Sequence, residues 1–192
     1  MKEQWPQTWQ VSLSPTCQAE LPLVKASDTL SIYSFVMSGQ PDWNKAAATT
    51  LHSKLIESNV DFDILLTAES KSIALTDRLA ELLGQPRYVL ARKSVKVYME
   101  NPVSAEVNSI TTADPQLLWL DEEDARLLRG KRVAMIDDVA STLATMQGMW
   151  ALSEKIGFNI VIAAVALTEG ERHTEFNGVP LLSLDHIPLP MA

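Results

Sequence analysis

Cysteine is nearly absent from this chain of 192 residues: Cys17 stands alone. No intrachain disulfide can form and no cysteine-based metal site can be assembled, which points to a reducing, cytoplasmic setting. Basic charge is also scarce, with 16 Lys and Arg against 24 Asp and Glu and a formal net charge of −8. A general nucleic-acid or anionic-membrane surface needs a basic field, so neither partner is expected and any phosphate binding must be local. A long apolar run is missing too. The longest, Ile160 to Leu167, is far below the ~20 residues that cross a bilayer. Met1 to Gln10 carries charge, proline and tryptophan where a signal peptide has a continuous apolar region. Neither G-x-x-x-x-G-K-[ST] nor a strand followed by G-x-G-x-x-G occurs, which disfavours the standard nucleoside-triphosphate and dinucleotide sites. The histidines, His52, His173 and His186, show no metal-ligand spacing, so no protein metal cage is expected.

What is present is enough apolar material, 46% of residues, for one substantial core. No internal repeat or low-complexity tract divides the chain, so residues 1–192 read as a single domain. Residues 1 to 30, with prolines at 6, 15 and 22, suggest irregular structure and short strands. Gln40 to Asn59 reads as a helix with Asp42 as its N-cap. Strands and helices then alternate. Phe62 to Thr67 is a strand, Ser70 to Leu83 a helix stopped by Gly84, and Arg87 to Arg92 a strand. Gln116 to Leu120 is a strand, and Asp121 caps a short helix through Leu128 before Gly130. Arg132 to Ile136 is a strand, Thr142 to Ile156 a helix closed by Gly157, and Asn159 to Leu167 the most apolar strand. Continuous apolar strands joined by helical crossovers imply an α/β fold with a mostly parallel central sheet flanked by helices.

In such sheets ligands sit beyond the carboxyl ends of the strands. Asp137 and Asp138 stand at the end of an apolar strand, and a hydroxyl-bearing turn follows them into a helix. The free N–H groups of a helix start favour an anion, while paired carboxylates accept from vicinal hydroxyls. A sugar phosphate has both features. Taken singly, Ser141 or Thr142 reads as readily as an ordinary N-cap; the joint arrangement favours the ligand.

The run Ile136-Asp-Asp-Val-Ala-Ser-Thr-Leu-Ala-Thr145 resembles the phosphoribosyl-pyrophosphate (PRPP) signature of type I phosphoribosyltransferases, and the chain looks closest to their adenine branch over about residues 21–170. The resemblance implies that Asp137 and Asp138 hold the ribose and favour its developing charge, and that Ala140, Ser141, Thr142, Leu143, Ala144 and Thr145 wrap the 5′-phosphate. Thr67 to Ser72 falls where the family has its pyrophosphate loop, which makes Glu69, Ser70, Lys71 and Ser72 candidates. A lysine at a helix start opposes the macrodipole unless an anion neutralises it. Leu90 to Lys96 resembles the family's basic segment and adds Arg92, Lys93 and Lys96. Asn108 to Thr112 resembles part of a flap. A small hood from residues 1–39 and 170–192 is implied over a core of about 40–170, with Ser31 to Gly39 and Gly170 to Leu189 as its base-binding pieces. Tyr33, Phe35 or Phe176 are the candidate aromatics to stack on a base.

The implied activity is transfer of the phosphoribosyl group of PRPP to a purine base with release of pyrophosphate, with Mg²⁺ bound mainly through PRPP and a homodimer as the common assembly. The alternative is a PRPP- or nucleotide-binding regulator of the same fold. The loop departs from the family pattern: Leu143 and Ala144 stand where glycines are usual. If position 143 requires a positive φ, strain of about 1–2 kcal/mol follows.

Overall fold

The computed structural model describes residues 5–27, 30–107 and 116–190. The chain opens on an antiparallel hairpin, β1 (Thr8–Ser14) and β2 (Cys17–Lys25). Its buried residues, Val11, Leu13, Ala19 and Leu21, fall on alternate positions and so on one face. A short strand, β3 (Ser31–Tyr33), extends it through Leu23↔Tyr33. The expectation of irregular structure here is corrected: Pro15 lies in the turn between the strands, and Pro22 pairs with Thr8 at the end of the register, where a missing donor does least harm.

Helix α1 (Pro41–Glu57) follows with proline in its first turn. Its N-cap is Gln40, not Asp42, which sits inside the first turn and complements the macrodipole. Asn44 closes the entry by donating to the Met37 and Gln40 carbonyls at 2.7 and 2.8 Å. Next come β4 (Ile64–Ala68), α2 (Ile73–Leu82) and β5 (Val89–Ala91), then the antiparallel pair β6 (Val103–Val107) and β7 (Gln116–Leu120). In α3 (Glu122–Leu128), Asp121 is the N-cap as expected, its carboxylate accepting from Asp124 N at 2.8 Å. The rest is β8 (Arg132–Ala140), α4 (Ala144–Ile156), β9 (Asn159–Glu169), β10 (Glu175–Phe176) and β11 (Val179–Ile187).

The main sheet has the order β10-β11-β9-β8-β4-β5, parallel except for β10. One face packs Leu66, Met135 and Val165 against Met149 and Leu152 of α4 and Leu128 of α3. The other packs Leu65, Ala134 and Ala164 against Leu51 of α1, Leu75 and Leu79 of α2, and the hairpin's Val11 and Leu13. Each such leucine, wholly buried, contributes about 1.5–3 kcal/mol. This is the expected α/β architecture with a mostly parallel sheet. The chain beyond residue 170 contributes to the main sheet, where β11 pairs with β9 from Leu181↔Ala163 to Ile187↔Glu169.

From β4 the chain steps outward to β5, whereas from β8 it steps the other way to β9 and β11. The switch between β4 and β8 opens a crevice at the carboxyl ends of these strands, the place where ligands bind in open α/β sheets.

Candidate active site

Strand β8 runs four residues further than its apolar stretch suggests and carries Asp137 and Asp138 within it. Both line the cleft yet are only 8% and 7% exposed. The Asp138 amide donates to Asp137 Oδ1 at 2.9 Å. Burial pushes the Asp137 carboxyl well above the usual range, the neighbouring Asp138 charge adds to this, and the Ser72 hydroxyl offsets a part. Burial raises Asp138 too, against the pull of the Lys71 ammonium. Asp138 Oδ2 has no hydrogen-bond partner among the described residues. A buried acceptor left unpaired is costly, so this oxygen is poised for a hydroxyl or a hard cation.

Across the crevice lies the loop from Glu69 to Ser72, between β4 and α2, with a cis peptide between Glu69 and Ser70. Ser70 and Lys71 line the cleft, and Lys71 is exposed. Ser72 does not line it. Its buried hydroxyl lies 2.8 Å from Thr67 Oγ1 and donates to the Ala68 carbonyl at 3.2 Å, so it braces the loop. Glu69 has a role other than the one expected of it. A carboxylate cannot donate to pyrophosphate, and this one accepts from Arg92 Nη1 at 2.8 Å and Lys93 N at 3.0 Å, with Lys96 Nζ 3.7 Å away. Burial would raise its pKa, but the Lys93 amide, the Arg92 guanidinium and the Lys96 charge together hold it below the usual value. Glu69 therefore orders the basic segment. Of that segment only Lys93 lines the cleft; Arg92 and Lys96 stand behind it, tied to Glu69.

The turn after β8 completes this end. Ser141 and Thr145 line the cleft, Ala140 is fully buried, and Thr142 faces solvent. Leu143 is the N-cap of α4 and adopts φ 61°, ψ 6°, the left-handed conformation that favours glycine. Its side chain, like Ala144, packs against the apolar cluster under α4 and is not part of the cleft wall. The bulk at position 143 thus leaves the cleft open, while the backbone keeps the shape a glycine would give. No side chain caps α4, so the first N–H groups of the helix remain for an anion.

The cleft measures about 280 Å³. Apolar side chains line it too: Ile32 and Tyr33 of β3, Phe35 just beyond, Val139 of β8 and Ile187 of β11. Phe176 is not among them; it is buried against Trp150, ring centroids 5.9 Å apart. Glu169, at the end of β9, also lines the cleft and was missed from sequence. The signal existed: the strand-end rule that singles out Asp137 applies equally to β9, which the apolar pattern ended at Leu167. The flap expected at Asn108 to Thr112 lies outside the described residues. Among the described residues no cluster of three or more His, Cys, Asp or Glu side chains could hold a metal.

Residues 43–179 match the family model for the phosphoribosyl transferase domain. The chain belongs to the phosphoribosyltransferase family. A curated relative, the adenine phosphoribosyltransferase of Chlorobium phaeovibrioides, is 33% identical over 107 residues, which is 56% of this chain and 57% of that protein. The chain thus matches little more than half the length of that relative. Two solved adenine phosphoribosyltransferases share the fold. The enzyme of Trypanosoma brucei, in complex with AMP, pyrophosphate and ribose 5-phosphate, superposes with TM-score 0.64 at 18% identity, covering 78% of this chain and 67% of that one. The enzyme of Saccharomyces cerevisiae, complexed with adenine and an iminoaltritol bisphosphate, gives 0.61 at 17% identity over 93% and 94%. The resemblance to type I phosphoribosyltransferases of the adenine branch is met. In this member of the family the acid pair, Lys71, Lys93, Ser141 and Thr145 converge on one cleft.

Proposed function

We propose that this protein transfers the phosphoribosyl group of PRPP to a ring nitrogen of a purine base. The bond from C1 of the ribose to the pyrophosphate oxygen breaks, the C1–N bond forms, and the N–H proton of the base passes to solvent. The observation that carries the reading is the acid pair with its unpartnered Asp138 Oδ2, set between the exposed Lys71 and the uncapped start of α4. Asp137 and Asp138 would accept from the ribose hydroxyls and favour positive charge developing on the sugar. Ser141, Thr145 and the N–H groups opening α4 would hold the 5′-phosphate. Lys71 and Lys93 would steady the departing pyrophosphate, with Arg92 and Lys96 held behind them by Glu69.

The residues fit Mg²⁺ bound chiefly through its ligand: the unpaired Asp138 oxygen is a suitable hard donor, and no protein cage surrounds it among the described residues. Bound there, the ion would neutralise diphosphate charge. A homodimer and a cytoplasmic setting belong to the same proposal. The lone cysteine supports the setting, and the exposed Val95, Val97 and Tyr98 beside the basic segment are apolar surface that a second copy would cover.

The experiment is a turnover screen: PRPP and Mg²⁺ with adenine, guanine, hypoxanthine and xanthine in turn, reading pyrophosphate release. Release with at least one purine is expected. PRPP binding without release for any base would instead favour a PRPP-binding regulator.

A further inference from the structure

We propose that Thr67 and Ser72 are positioning residues: their paired hydroxyls fix the spacing between Lys71 and the acid pair, so that one ligand can be gripped at both places at once. The inference rests on the reading of the cleft as a PRPP site.

Lys71 and Asp137 belong to different elements, the loop that opens α2 and strand β8. Lys71 directly precedes Ser72, and Asp137 directly follows Ile136. Thr67 of β4 joins Ser72 to Ile136. Its hydroxyl donates to the Ile136 carbonyl at 2.9 Å and lies 2.8 Å from the Ser72 hydroxyl. A threonine hydroxyl has one proton, and here it goes to Ile136. Ser72 is therefore the donor within the pair, its proton shared between Thr67 Oγ1 and the Ala68 carbonyl at 3.2 Å. The relay runs on into the helix, where the Thr76 hydroxyl and amide both donate to the Ser72 carbonyl, at 2.8 and 2.9 Å.

The place of this bridge in the sheet gives it its importance. Pairing of β4 with β8 ends at Thr67↔Ile136. Beyond that rung the loop from Glu69 and the two acids diverge across the crevice with no ladder between them, and the hydroxyls tie the last rung to both. Ser72 is the N-cap of α2 by position, yet its side chain makes no capping hydrogen bond; its hydroxyl faces the bridge instead. Thr67, Ser72 and Thr76 are all buried. In such surroundings a hydrogen bond is strong and water cannot replace a lost one.

A ligand with two ends needs such a spacer. PRPP would meet the acid pair with its ribose and Lys71 with its pyrophosphate. Holding the first end makes the second contact intramolecular, an advantage that vanishes when the two places are misspaced. Ribose 5-phosphate and pyrophosphate each need one place only. The spacing therefore matters for the joined ligand and not for its halves.

The test separates spacing from general support of the fold. PRPP, ribose 5-phosphate and inorganic pyrophosphate, each with Mg²⁺, are titrated by calorimetry into the wild type, Thr67→Val, Ser72→Ala and Thr67→Ser. Valine keeps the shape of threonine without its hydrogen bonds, whereas serine keeps the hydroxyl. Thr67→Val and Ser72→Ala should each weaken PRPP about tenfold, while the affinity of each half changes less than about twofold. Thr67→Ser should bind PRPP as the wild type does. Ser72→Ala removes only the donor of the bridge, so it answers the same question should valine at position 67 disturb the fold. PRPP affinity unchanged in Ser72→Ala, a loss shared equally by all three ligands, or no rescue by Thr67→Ser overturns the inference but spares the site. Failure of PRPP to bind the wild type overturns the parent reading, and this inference with it.

Discussion

Leu143 is the residue at which the chain departs furthest from what its turn asks for, and the consequence can be worked out. At φ 61° its backbone sits where a Cβ clashes, a penalty of roughly 1–2 kcal/mol. Leu143→Gly removes it, less the roughly 0.5–1 kcal/mol that glycine's freer unfolded chain takes back relative to alanine. Leu143→Ala keeps the penalty and loses almost the same contact with the apolar cluster. We predict that the glycine variant is the more stable by about 0.5–1 kcal/mol, or roughly 1–4 °C in Tm for a domain of this size. Against the wild type the glycine variant comes out less stable by about 0.5–1 kcal/mol, because a half-buried leucine contributes about 1–2 kcal/mol through its contacts. Affinity is a separate matter. The side chain packs away from the cleft, and strain common to free and bound protein cancels in binding, so PRPP affinity should change less than about threefold. Thermal melts of the three proteins and calorimetry with PRPP and Mg²⁺ check both parts. An alanine variant as stable as the glycine variant would refute the strain argument. A glycine variant binding PRPP more than about tenfold tighter would refute the claim that residue 143 stays out of the ligand's way.

Lys71→Met should weaken the binding of inorganic pyrophosphate with Mg²⁺ about tenfold, because an exposed point charge is removed from the cleft; the fold should persist with Tm slightly lowered at neutral pH, since Asp138 loses a neighbouring cation, and calorimetry with a parallel melt reads both. Asp137→Asn should abolish most turnover, by about 100-fold or more, yet stabilise the protein at high pH. The sign follows from the raised pKa of Asp137: the folded state is unpenalised below the ordinary carboxylate value of ~3.9 and loses stability as pH rises from there through the folded value. Melts at pH 4 and pH 8 should show the variant gaining on the wild type only at pH 8; an equal gain at both would reject burial of charge as the cause.

Much of the fold was legible because its signals are local. Asp121 before three acidic residues caps α3 as it reads, and Gly84 and Gly157 adopt the positive φ that ends a helix. The continuous apolar runs of β4 and β9 could only be strands buried on both faces. What escaped depends on partners distant in sequence. β11 is half-buried along most of its length, so no clean period betrays its pairing with β9. Extension of β8 through two acids is invisible to an apolar pattern, because the groups that accommodate them, Ser72 and Lys71, come from another loop. The acid pair and Lys71 were identifiable from strand-end position and charge. Glu69, Arg92 and Lys96 were identifiable as a group, but their division into a counter-ion and its cations depends on distances no sequence carries.

The central claim is that Asp138 meets the ribose of PRPP, and calorimetry of PRPP with Mg²⁺ on the wild type and Asp138→Asn tests it most directly. The account predicts one PRPP per chain for the wild type and an affinity at least about tenfold weaker for the variant, with its melting temperature not lowered. Equal affinity in the two proteins, or no PRPP binding by the wild type, would contradict it.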